Sequence, residues 1–124
     1  MEDFVTIEIA KKLKEKGFDY PCMGHYIDNN LHIAHYINAF HNDKDVSIDA
    51  PTILQVLKWL REKYIDIAVY PIFIYEPNLN RIYETEIHTP QLNKSVKLGY
   101  YRTWEEAITE GIYYAITKLK LNKI

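Results

Sequence analysis

Residues 65–89 read IDIAVYPIFIYEPNLNRIYETEIHT. Ile65, Ile67 and Val69 alternate with Asp66, Ala68 and Tyr70, the period of two expected of a half-buried strand. Pro71 has no N–H for a ladder, so the chain there lies at an edge, at a bulge or in a bend. Ile72 to Tyr75 and Arg81 to Thr89 form two further extended runs, joined by the five-residue loop Glu76-Pro77-Asn78-Leu79-Asn80. Such a join predicts an antiparallel hairpin.

Outward from this stretch the period changes to that of helices. Thr52 and Gln55 have capping-box spacing behind Pro51, and Ile53, Val56, Leu57, Leu60 and Tyr64 recur on one helical face. Thr103 and Glu106 repeat the device. There Trp104, Ala107, Ile108, Gly111, Ile112, Ala115, Ile116 and Leu119 mark the apolar stripe, with the small residues Ala107, Gly111 and Ala115 four apart to permit close packing. An earlier helix is predicted from Thr6 to Lys16, capped by Thr6 and stopped by Gly17. His25–Ile27 and Leu31–Ile37 flank Asp28-Asn29-Asn30 as a hairpin, and a short strand near Val96–Tyr101 leads into the last helix. The pattern predicts an α+β fold: three helices on one face of a mostly antiparallel sheet of four to five strands.

The chain has 124 residues, 48% of them apolar and 26% charged, which suits one ordinary domain over 1–124 and excludes disorder along most of its length. A formal charge of −2 excludes a global pull toward nucleic acid or anionic membrane. The acidic start Met1-Glu2-Asp3-Phe4 is unlike a secretory signal, and the run from Ile65 to Tyr75 is too short to span a bilayer. Cys22 is the single cysteine, so no internal disulfide forms and a reducing, cytoplasmic setting is expected. Its apolar neighbours suggest a packing role rather than a nucleophile.

Chemistry-bearing residues do not converge visibly. Four of the five histidines cluster, at 25, 32, 35 and 41. With Asn29-Asn30 as a two-residue turn, His25 faces Ala34 and Ile27 faces His32, leaving His25 and His32 diagonal neighbours roughly 7–8 Å apart. They are weak candidates for zinc, because His35 points to the other face and no CxxC or HExxH completes a ligand set, so no metal and no cofactor is expected. Glu84, Glu86 and His88 share a strand face and could do acid–base work if buried, though alternating charges usually mark a solvated face. Asp43, Asp45 and Asp49 lack the glycine and terminal glutamate of an EF-hand loop, and the four glycines make no phosphate-cradling loop.

Eleven tyrosines are the compositional departure. Tyrosine supplies amphipathic contact area at low entropic cost and is enriched at interfaces. Tyr75, Tyr83, Tyr100, Tyr101, Tyr113 and Tyr114, with Tyr70 nearby and Arg102 among them, come from the C-terminal elements and predict a binding surface. Its partner is expected to be another protein or a second copy of the chain as a homodimer. From Lys94 to Ile124 six basic residues face three acidic ones, so a nucleotide- or nucleic-acid-binding accessory protein, using Arg102 and neighbouring rings, is the alternative. A small hydrolase built on the histidine hairpin ranks third.

Three stretches carry a resemblance: Lys11-Lys12-Leu13-Lys14-Glu15-Lys16-Gly17-Phe18 running to Pro21-Cys22, Ala50-Pro51-Thr52 leading to Lys58-Trp59-Leu60-Arg61-Glu62, and Thr103-Trp104-Glu105-Glu106-Ala107 running to Glu110-Gly111-Ile112. Together, over about half the chain, the sequence resembles a group of short uncharacterised proteins from gut Bacteroidetes, their phages and integrated mobile elements. The resemblance implies a bacterial or phage protein of the cytoplasm and carries over no catalytic residue. It joins the tyrosines in predicting a small binding or accessory protein with no membrane partner, rather than an enzyme.

Overall fold

Thr6 sits in extended backbone and its side chain accepts from the N–H of Ile9, opening α1 (Ile7–Glu15) as its cap spacing requires. Gly17 ends the helix at φ +83°, and the Phe18 N–H donates to the Leu13 carbonyl at 3.0 Å, closing a left-handed stop. The computed structural model describes residues 3–33 and 48–121. Their contacts divide the chain into two units, Met1–Trp59 and Leu60–Ile124.

In the first unit, β1 (Gly24–Ile27) is the middle strand of an antiparallel sheet, between β2 (Asn30–Ile33) and β3 (Ile48–Ala50). The hairpin turn is Asp28-Asn29, both at positive φ (51° and 67°), as a tight primed turn demands. It sits one residue earlier than Asn29-Asn30. The register therefore moves, and His25 pairs directly with His32 instead of lying diagonal to it. His35, His41, Asp43, Asp45, Ala34 and the rest of the strand expected up to Ile37 lie outside the described residues. The chain from Asp3 to Val5 runs against residues 51–53, with Val5 N–H donating to the Pro51 carbonyl and Ile53 N–H to that of Asp3. The capping box forms as spaced: Thr52 N–H donates to Gln55 Oε1 at 2.9 Å, and Gln55 N–H to Thr52 Oγ1 at 3.2 Å. It starts α2 (Ile53–Arg61).

In the second unit, β4 (Asp66–Ile74), β5 (Asn80–His88) and β6 (Val96–Tyr101) form an antiparallel meander in that order. Pro71 lies inside β4, which runs unbroken through it. That is tolerated because β4 is an edge strand. Between Thr85 and Glu86 the register with β6 slips, passing over Leu98 next to Gly99 at φ +143°. Helix α3 (Trp104–Lys118), capped by Thr103 through the N–H of Glu106, packs on all three strands. Its stripe is buried from Ala107 to Ile116, while Trp104 and Leu119 at its two ends are only half-buried. Ile108, Ile112 and Ile116 are at most 1% exposed, each contributing about 1.5–3 kcal/mol. Gly111 lets the helix come close, since a Cβ there would lie 2.5 Å from Ile67 Cγ2.

The chain is α+β with three helices among the described residues, but its six strands form two three-stranded sheets instead of one sheet of four to five. Two facts produce the difference. β3 is only three residues long, too short to show a period, and the hairpin closes its ladder on β3 rather than on the meander. α1 lies against β3 of the first sheet, whereas α3 covers a face of the second.

Candidate functional site

Strand alternation sorts the C-terminal tyrosines onto two faces of the meander. On the side toward α3, Thr85 is fully buried and its hydroxyl donates to the Ala107 carbonyl at 2.7 Å. Tyr83 and Tyr101 are cross-strand partners on that same side. Burial and the nearby Glu110 carboxylate of α3 push the Tyr101 hydroxyl pKa up. On the other side, Tyr70, Glu84 and Tyr100 form one row across the three strands. Tyr70 is 45% and Tyr100 64% exposed. Ile72 and Ile82 make the next row. Tyr75 stands exposed beyond the end of β4, Tyr113 is exposed on α3, and Tyr114 is half-buried there. The structure thus brings Tyr83, Tyr101 and the start of the Arg102 segment to one side, and sets Tyr100 on the other, across Glu84 from Tyr70.

The carboxylates of the open face are engaged with neighbours. Glu84 Oε1 lies 3.8 Å from Lys97 Nζ, and Glu86 Oε1 lies 3.2 Å from His88 Nε2. The Ser95 hydroxyl donates to Glu86 Oε2. That hydrogen bond, followed by His88 and Lys97, lowers the Glu86 pKa against a smaller opposing effect of burial. Glu84 and Glu86 are therefore a half-buried, ion-paired strand face, their side chains 15% and 14% exposed.

At the end of the meander where α3 begins, a cleft of about 380 Å³ gathers Arg81, Tyr83, Arg102, Thr103, Trp104 and Glu105. The Arg81 guanidinium lies 5.4 Å from the centre of the Tyr83 ring, within cation–π reach. Tyr83 and Arg102 were legible as binding candidates; Arg81 and Trp104 were not. Their signal is weak in one dimension. Arg81 shares a strand face with Tyr83 two residues on, but only the β5–β6 register shows that the Arg102 segment returns beside them. A second hollow is lined by Arg61, Tyr64, Asp66 and His88, with Arg61 Nε 3.7 Å from Asp66 Oδ1.

The first unit places its reactive groups inside. Cys22 is fully buried, its thiol donating to the Tyr20 carbonyl at 3.1 Å. Burial, with the Asp49 carboxylate adding to it, pushes the Cys22 thiol up to about 12, so it stays protonated and weakly nucleophilic at neutral pH. His25 and Asp49 face each other across β1 and β3, Nδ1 to Oδ1 3.3 Å, with both side chains buried. His32, on the opposite neighbour strand, is exposed. Among the described residues no three His, Cys, Asp or Glu side chains come together as a metal-holding group. No described helix is long and apolar enough to cross a membrane. Compared with protein-family models, curated proteins and solved structures, the chain matches none.

Proposed function

We propose that this chain is a non-catalytic binding protein of the accessory kind found in phages and mobile elements, acting in the cytoplasm. It docks protein on the open face of the β4–β5–β6 sheet, and the occupant we assign is a second copy of the chain. The observation that carries the reading is the Tyr70–Glu84–Tyr100 row, two exposed rings flanking an acid on a face that also bears Ile72 and Ile82. Charge on this face is self-complementary. Glu84 and Glu86 run down the middle strand, with Lys97 on the β6 side. A two-fold rotation offset toward β6 lays Lys97 of one copy over the acidic column of the other. The buried thiol of Cys22 and the ion-paired Glu84 and Glu86 support binding over catalysis.

Three strands of this length offer about 400 Å² per copy from strand spacing and rise. A stable complex buries about 800 Å² per partner, so the dimer is reversible and concentration-dependent. Sedimentation velocity across micromolar to millimolar protein tests it. A shift from monomer to dimer, abolished by Tyr100→Glu and Tyr70→Glu with thermal stability retained, is expected. A monomer throughout the range overturns the reading, as does a dimer indifferent to both substitutions.

A further inference from the structure

The cleft at the start of α3 is lined by two arginines, Arg81 and Arg102, together with Trp104 and Tyr83. Both arginines are exposed, and among the described residues neither has a carboxylate at ion-pair distance. A guanidinium is a planar fork of donors suited to two oxygens of one phosphate, and it also stacks on aromatic planes. Arg81 already does the second, lying over Tyr83, which restrains its orientation before any ligand arrives. Trp104, half-buried at the cleft wall, offers π surface for a base. The helix end itself adds little attraction for an anion. Thr103 Oγ1 already accepts from Glu106 N–H at 3.1 Å, and Glu105 and Glu106 occupy the first turn. The Glu105 carboxylate lowers the net charge of the cleft to that of one cation and is suited to accept from a sugar hydroxyl or an exocyclic amine.

We infer that this cleft binds a phosphate carried on an aromatic base: a nucleotide, either free or as part of a single strand. Arg81 and Arg102 hold the phosphate, and Trp104 stacks with the base. A volume of about 380 Å³ lies near the lower end for small-molecule sites and is enough for one nucleotide. The cleft uses none of the side chains of the Tyr70–Tyr100 row, so it stands or falls apart from self-association.

The test is calorimetry on the full chain at low salt with AMP, adenosine, inorganic phosphate and a short single-stranded oligothymidylate. It is paired with the two indole N–H signals of the NMR spectrum, from Trp59 and Trp104. Saturable binding is expected, with the Trp104 signal moving and that of buried Trp59 still. Arg102→Ala and Arg81→Ala each weaken binding about tenfold, the loss of one charge-assisted contact, with melting temperature unchanged. Adenosine and phosphate alone bind at least about tenfold more weakly than AMP. Tighter binding of the oligonucleotide, falling steeply with salt, identifies the strand as source, and AMP binding as tightly identifies the free nucleotide. Neither AMP nor the oligonucleotide binding at low salt overturns the inference. So does affinity unaltered in both arginine variants, or AMP binding no tighter than inorganic phosphate.

Discussion

In residues 3–59, Cys22, His25 and Asp49 are 0%, 0% and 4% exposed; in residues 60–121, Tyr70, Tyr100, Arg81 and Arg102 stand in solvent. Both regions are built on a three-stranded antiparallel sheet with a capped helix, so the contrast does not come from architecture. It comes from which face of each strand carries the polar residue. On β1 the imidazole of His25 falls on the inward side and meets Asp49 across the ladder. On β5 the inward side carries Thr85 and Ile87, and the acids Glu84 and Glu86 fall outward. A titratable group turned inward contributes to stability and to a single packing. One turned outward is available to a ligand. Side-chain chemistry alone therefore says little about function until its face is known.

The sharpest way to break this contrast is to remove an inward charge. Asp49→Ala removes the carboxylate 3.3 Å from the buried His25 imidazole, and a cost of about 1–3 kcal/mol is expected. Tyr100→Ala, at an exposed site, should stay within about 0.5 kcal/mol of the parent. Urea unfolding followed by circular dichroism measures both. If the alanine variant at 49 fails to fold, Asp49→Asn, which keeps shape and hydrogen-bonding capacity, should fold with a smaller loss. Equal costs at Asp49 and Tyr100 would erase the distinction between the regions.

A test of comparable size uses one glycine from each region. A Cβ at Gly24 would lie 2.6 Å from Phe4 Cε1 and 2.8 Å from the Ala50 carbonyl oxygen. That oxygen belongs to the backbone of β3, paired with Gly24 itself, so relief requires the ladder to move. At Gly111 the collision is with methyl groups, Ile67 Cγ2 at 2.5 Å and Thr85 Cγ2 at 3.0 Å. Overpacking costs about 1–3 kcal/mol, and alanine returns about 1 kcal/mol of helix propensity at Gly111 alone. Gly24→Ala is expected to cost about 2–3 kcal/mol and Gly111→Ala about 1 kcal/mol, read from chemical denaturation. A Gly111→Ala variant more stable than the parent would mean that α3 sits farther from the sheet.

Caps and stripes were legible because their causes are local. Thr6, Thr52 and Thr103 each take up a helix N–H three residues on, and the apolar stripe of α3 needs only its own period. Pro71 narrowed its place to an edge, a bulge or a bend, and the edge position of β4 settles which. What could not be read depends on pairing between distant residues. One residue of turn placement, Asp28-Asn29 in place of Asn29-Asn30, decides whether His25 meets His32 or Ala34. β3 carries no period of its own in Ile48-Asp49-Ala50, so the partner of His25 was hidden. The tyrosines were visible as a composition, but their division between two faces follows from the slip at Leu98, which sets Tyr100 against Glu84 and Tyr101 against Tyr83. The cleft was half-legible for the same reason: Tyr83 and Arg102 are marked by type, Arg81 and Trp104 only by where the meander ends.

The smallest effect sharpens the outward side of the contrast. Glu86 is held below the ordinary glutamate pKa, first by the Ser95 hydroxyl and then by His88 and Lys97. A carboxyl with a lowered folded pKa binds fewer protons folded than unfolded in that window. Its contribution is therefore present above the ordinary glutamate range and lost as pH falls through the folded value. The ion pair with the exposed His88 side chain is screened by solvent, which keeps the contribution small. Ser95→Ala removes the leading cause, so the Glu86 pKa should rise toward its ordinary value, followed by carbon-detected NMR of the side-chain carboxyl. The stability difference between variant and parent should be largest near neutral pH and vanish in strong acid. An unmoved Glu86 pKa would transfer the shift to His88 and Lys97. It would then be the charges of the open face, and not one hydroxyl at its border, that set the protonation state facing a docking copy.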